Sequence, residues 1–196
     1  MTRLIAEPWW VNLLVLVPPV AYFYWRRNRV PVTWPLLISS GVFAAAFGFL
    51  EAVTVVYLRA AAGLLPGYWG TLSDVIRLSG ELHQQSPGLT QFPKSLLTLE
   101  VFRETATMLV LLSVAFLSSA KLSVTAAVFL WAFAIWDIVY YAALRATVQW
   151  PLSLKDADVL FLIPVPWFSP VWFPLLVSGL TVAAVLLTRY TPNQPQ

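Results

Sequence analysis

Five apolar runs, near 9–25, 35–58, 96–120, 122–146 and 170–188, constrain this 196-residue chain more than any other feature. A helix rises about 1.5 Å per residue, so roughly 20 apolar residues carry it across about 30 Å of hydrocarbon. The chain is 59% hydrophobic and only 11% charged, with a mean hydropathy of +0.75. An ordinary soluble domain is about 25% charged. The pattern predicts an all-α integral membrane protein with about five transmembrane helices. It reads as a single polytopic domain over 1–190, followed by a disordered tail at 191–196.

The net charge of +3 does not point to nucleic acid. The basic residues are scattered, and the one tight cluster, Arg26-Arg27-Asn28-Arg29, directly follows the first apolar run. Basic residues in a short loop mark the cytoplasmic side. The N-terminus and the loops after the second and fourth runs are therefore expected outside, and the C-terminus inside. The first run is read as a retained helix kinked at Pro18-Pro19, because its positive cluster follows the apolar stretch instead of preceding it as in a signal peptide.

Both outer connections are longer than turns. The first, about 60–95, contains Thr71 and Asp74 at capping-box spacing and Arg77 and Glu81 as an i,i+4 pair, which predicts a short interfacial helix. The second carries Pro164, Pro166, Pro170 and Pro174 among aromatic residues. Proline at that density breaks a regular helix, so a bent, re-entrant segment is expected before the last span.

The acidic residues identify a candidate site. Apart from Glu7 and the loop acids Asp74, Glu81, Asp156 and Asp158, every one lies in a span: Glu51 in the second, Glu100 and Glu104 in the third, Asp137 in the fourth. Glu51 precedes Arg59 by eight residues, Glu104 follows Leu96 by eight, and Asp137 precedes Arg145 by eight. Each is thereby about 12 Å from the outer end of its helix, at one common level. Glu100, Arg103, Glu104 and Thr107 form one stripe of the third helix; Asp137, Tyr140, Tyr141, Leu144 and Arg145 form one on the fourth. A charge left in lipid costs about 2.5–3.5 kcal/mol, so these stripes are expected to face protein or water.

Glu51, Glu104, Asp137 and Arg103 are accordingly the candidate catalytic residues. Arg59, Arg145, Tyr57, Glu100, Tyr140 and Tyr141 are the candidate ligand-binding residues around them. Arg103 is expected to pair with Glu51 or Asp137, and Arg59 and Arg145 to give the cavity a positive rim.

The inventory also excludes chemistries. With no cysteine there is no thiolate metal site, cysteine nucleophile or CxxC pair. His83 is the only histidine, which rules out bis-histidine haem, multi-histidine metal clusters and HExxH hydrolysis within this chain. It is read as a solvated loop residue. No GxSxG or P-loop occurs. No cofactor is indicated.

Three functions fit what is left. The foremost is binding of, or acid–base chemistry on, a lipid, isoprenoid or quinone-like amphiphile, its head held by arginine beside the carboxyls. The second is a non-catalytic subunit or assembly factor working with other membrane subunits. The third is a carboxylate site for a hard divalent cation, which Arg103 beside Glu104 disfavours.

Overall fold

The structure, a computed structural model, describes residues 6–61, 70–71, 73–74 and 94–189. The described residues are 75% helical. A 3-10 segment, Trp9–Leu16, leads into α1, Val17–Arg27; then follow α2, Trp34–Ala61, α3, Lys94–Ser118, and α4, Leu122–Val148. A two-stranded antiparallel hairpin, β1 Ala157–Phe161 and β2 Trp167–Pro170, precedes α5, Trp172–Arg189. Among the described residues, three helices are long and apolar enough to cross a membrane: Trp34–Tyr57, Leu97–Ser118 and Leu122–Val148. The apolar part of α5, Trp172–Thr188, is shorter.

The first apolar run departs from the expected kinked helix. Pro18 and Pro19 have no N–H, and an α-helix continued through them would lack donors for the carbonyls one turn earlier. The chain resolves this by winding the preceding residues as a 3-10 helix and starting the α-helix anew with both prolines in its first turn. Those N–H groups are unpaired in any α-helix, so nothing is lost there.

α4 is the central helix, packed on α2, α3 and α5, while α5 also packs on α1. The α2–α4 contact is close because α2 offers small residues to it, Gly41, Ala44, Gly48 and Ala52. At Gly48 an added Cβ would lie 2.5 Å from the backbone carbonyl oxygen of Trp136, so only glycine allows the backbones to come this near. Trp131 fixes the register nearby, its indole N–H donating to the Leu37 carbonyl at 3.0 Å. The turn between α3 and α4 is tight, as expected: the Ser119 hydroxyl accepts from the Lys121 N–H and the Thr125 hydroxyl donates to the Ser119 carbonyl, each at 3.0 Å.

Three packed clusters surround an unfilled centre. One joins Ala44, Leu111, Ala132 and Trp136 at mid-height; a second joins Ala52, Val56, Tyr141, Leu144 and Trp150 near the ends of α2 and α4. The third holds Ala6, Val11 and Phe173 beside the N-terminal segment.

The proline-dense segment forms a β-hairpin. Pro164 and Pro166 lie between the strands, Pro170 ends β2 and Pro174 sits in the first turn of α5, all places where a missing N–H costs little. Glu7 extends the sheet by pairing with Phe168, the two residues exchanging N–H to carbonyl bonds of 2.7 Å. Asp156 ties down the approach, accepting from the N–H groups of Leu152 and Ser153 at 2.8 and 3.1 Å. The hairpin lies along the helices: Phe161 stacks on Phe133 with ring centroids 6.3 Å apart. Phe133 is fifteen residues before the C-terminal end of α4, about 22 Å along the axis.

Of the first long connection, Gly70, Thr71, Ser73 and Asp74 are described. The Thr71 hydroxyl donates to the Asp74 carboxylate, and the Asp74 N–H donates back to it at 3.2 Å. Arg77, Glu81, His83 and the tail at 191–196 lie outside the described residues.

Candidate functional site

Between the three clusters is a cavity of about 110 Å³. Glu51 from α2, Arg103, Glu104 and Thr107 from α3, and Asp137, Tyr140 and Tyr141 from α4 all line it. Carboxyls that are 33 to 86 positions apart in sequence thus share one space. Glu51, Glu104 and Asp137 are 6%, 8% and 7% exposed, so their environment is the protein interior.

Each carboxyl is held differently. Glu51 receives the Arg103 guanidinium on one oxygen and the Thr107 hydroxyl, at 3.1 Å, on the other. Arg103 also donates from Nε to Glu100 at 2.7 Å, one turn earlier on its own helix. Arg103 is therefore clasped by two carboxylates, and it pairs with Glu51, not Asp137. Glu104 accepts the backbone N–H of Leu162 at 2.8 Å, which fastens the hairpin to α3. Asp137 accepts the Ser178 hydroxyl of α5 at 2.8 Å. In Glu104 and in Asp137 the second oxygen takes no hydrogen bond from any described residue.

A fourth carboxyl comes from the hairpin. Asp158, read from sequence as a loop acid, lines the cavity and accepts the Tyr141 hydroxyl at 2.7 Å. Ser178 and Asp158 went unrecognised because their approach depends on how α5 and the hairpin fold back. The spacing of Asp158 within β1 gives no sign of it. The rest of the wall is apolar, with the rings of Phe133, Trp136, Phe161, Trp167 and Phe173 beside Leu14, Val159, Leu160, Pro174 and Val177. The indole N–H groups of Trp136 and Trp167 are buried and have no hydrogen-bond partner among the described residues.

Two expected members stand elsewhere. Tyr57 is 66% exposed and does not line the cavity. The inward stripe of α2 runs through Glu51, Ala52, Val55 and Val56, and Tyr57 falls one step beyond it. Arg145 is not on a cavity rim: its guanidinium donates to the carbonyls of Gln149 and Pro151 at 2.7 and 3.1 Å. There it caps the last turn of α4, where Gln149 adopts the left-handed conformation with φ 59°. The side chain of Arg59 lies outside the described residues. Glu100 does not line the cavity and is joined to the site through its ion pair with Arg103.

Chemically, the cavity offers two half-used carboxyls and an arginine already paired with carboxylates, with aromatic side chains in its wall. Among the described residues no group of three carboxylate or histidine side chains comes together as a metal site would require. The chain matches no known family model, no curated protein and no solved structure.

Proposed function

We propose that this chain is a membrane protein whose cavity binds, or acts on, an amphiphile: a lipid, an isoprenoid or a quinone-like molecule with its head among the carboxyls. The observation that carries this reading is the enclosure of Glu51, Glu104, Asp137 and Asp158 with Arg103 in one aromatic-walled cavity. A volume of about 110 Å³ suits a polar head and leaves the chain to lie along apolar surface outside. If chemistry follows binding, Glu104 and Asp137 are its acid–base groups, since Glu51 is occupied by Arg103. Mass spectrometry of solvent extracts from the purified wild type tests the reading. A single class of amphiphile retained in near-stoichiometric amount is the expected result. An empty protein would favour the subunit or assembly-factor role.

The proposal includes five membrane-crossing segments, with the N-terminus outside. The 3-10 segment rises about 2 Å per residue, so Trp9–Arg27 spans about 32 Å in 3-10 and α form together. The 18 residues of α5 span about 27 Å. Both lengths approach the hydrocarbon thickness. The hairpin is then a re-entrant element, tolerated at depth because its backbone is paired and covered by helices. Because the chain has no cysteine, one introduced as Asn28→Cys is a clean reporter. It should resist impermeant thiol reagents applied to intact cells and react after permeabilisation; ready labelling from outside would reverse the orientation.

A further inference from the structure

The charges around the cavity do not balance. Glu51, Glu104, Asp137 and Asp158 line it, and the basic side chain beside them, Arg103, is already shared between Glu51 and Glu100. Among the described residues no lysine or second arginine lines the space. Hydroxyls nearby are committed as well: Thr107 donates to Glu51, Ser178 to Asp137 and Tyr141 to Asp158.

Two acceptors remain open. Glu104 and Asp137, 8% and 7% exposed, each use one oxygen, on the Leu162 N–H and on the Ser178 hydroxyl. Their second oxygens accept from no described residue and yet keep accessible surface, unlike the Glu51 oxygen against Arg103, which is sealed. In side chains so deeply buried, that surface opens on the cavity they line. A buried acceptor left without a donor forfeits the full cost of its desolvation, and more where it is charged. The missing partner is a donor that brings positive charge.

We infer that the occupant's head is a protonated primary amine, an ammonium group with Glu104 and Asp137 as its acceptors; this rests on the amphiphile-binding reading above. An ammonium has three donors and no acceptor, which suits a space whose open groups are carboxyl oxygens. A hydroxyl donates one proton and leaves the carboxylate charge uncompensated. A phosphate adds negative charge, and like charges in a low-dielectric space repel strongly. A divalent cation asks for several oxygen ligands, and among the described residues no group of three carboxylate or histidine side chains comes together to supply them.

The test uses the full-length protein in phosphatidylcholine nanodiscs and three probes with one C16 chain, ending in primary amine, hydroxyl or monophosphate. Binding is read by native mass spectrometry and by tryptophan fluorescence. The amine should bind saturably and about tenfold or more tighter than the alcohol, the contribution of one hydrogen bond to a charged group, with the phosphate weaker still. Glu104→Gln combined with Asp137→Asn removes both charges and should erase the preference for amine over alcohol. An amphiphile retained by the wild type should carry a basic nitrogen in its head. Phosphatidylethanolamine as competitor separates the two sources of such a head: displacement of the amine assigns it to an aminolipid, and no displacement assigns it to a free long-chain amine. Alcohol or phosphate binding as tightly as the amine, an amine preference that survives the double variant, or a retained amphiphile without a basic nitrogen would overturn the ammonium inference while sparing the amphiphile reading. Failure of all three probes, together with an empty wild type, would overturn both.

Discussion

Replacing Arg103 by methionine should destabilise the protein by about 3–5 kcal/mol, because it strands Glu51 inside the bundle. Glu51 is 6% exposed, and its remaining partner is the neutral Thr107 hydroxyl. Glu100, released at the same time, is nearer solvent and loses less. The expected loss comes from the orphaned charge more than from the attraction removed. Glu51→Gln in the same chain should therefore restore most of it, since replacing both members of a buried pair by neutral groups is often close to neutral. Denaturation midpoints of the two single variants and the double variant in the same detergent decide this. A double variant no more stable than Arg103→Met would show that the pair is not coupled as the geometry implies.

The second large effect is expected at Gly48. Its Cβ position is 2.5 Å from the Trp136 carbonyl oxygen, an atom of the helix backbone that cannot swing away. Gly48→Ala must push α2 off α4, and overpacking of this kind costs about 1–3 kcal/mol. The displacement acts one turn from Glu51, so ligand retention should fall along with stability. Two other glycines supply the contrast. At Gly41 the added atom meets the Trp131 side chain at 3.2 Å, and at Gly179 it meets nothing within 4 Å. Gly179→Ala should be neutral or mildly stabilising, because alanine is the better helix former by about 1 kcal/mol. Equal thermal shifts for Gly48→Ala and Gly179→Ala would contradict the close approach.

What was legible in the sequence is what local periodicity controls. The long helices follow from apolar run length, and the equal spacing of Glu51, Glu104 and Asp137 from their helix ends places them at one height, where they line one cavity. A rise of 1.5 Å per residue suffices for that argument. It does not supply rotation about the axis, and so Tyr57, six residues from Glu51, was assigned to a face it does not share. Arg145 illustrates a different limit. A charged side chain at a helix end reads equally as a rim or as a cap, and the left-handed Gln149 beside it makes it a cap.

The hairpin was the least legible element. Its prolines correctly argue against a helix, but strand pairing is non-local: β1 needs β2, and β2 needs Glu7 from the far end of the chain. Everything that depends on that pairing was equally hidden, including Asp158 against Tyr141 and the Leu162 amide on Glu104. The tight initial 3-10 segment likewise required weighing Pro18-Pro19 as a restart of the helix instead of a bend within it.

One comparison separates a binding site built on the buried carboxyls from carboxyls that serve only as helix glue. Native mass spectrometry and thermal unfolding are measured together on wild type, Glu104→Gln and Asp137→Asn. The amides keep an oxygen for the Leu162 N–H and for the Ser178 hydroxyl, and they remove a charge that is expensive to bury. The site account predicts variants that melt within a few degrees of wild type and have lost its bound amphiphile. Variants that unfold, beside a wild type that carries no amphiphile, would contradict it.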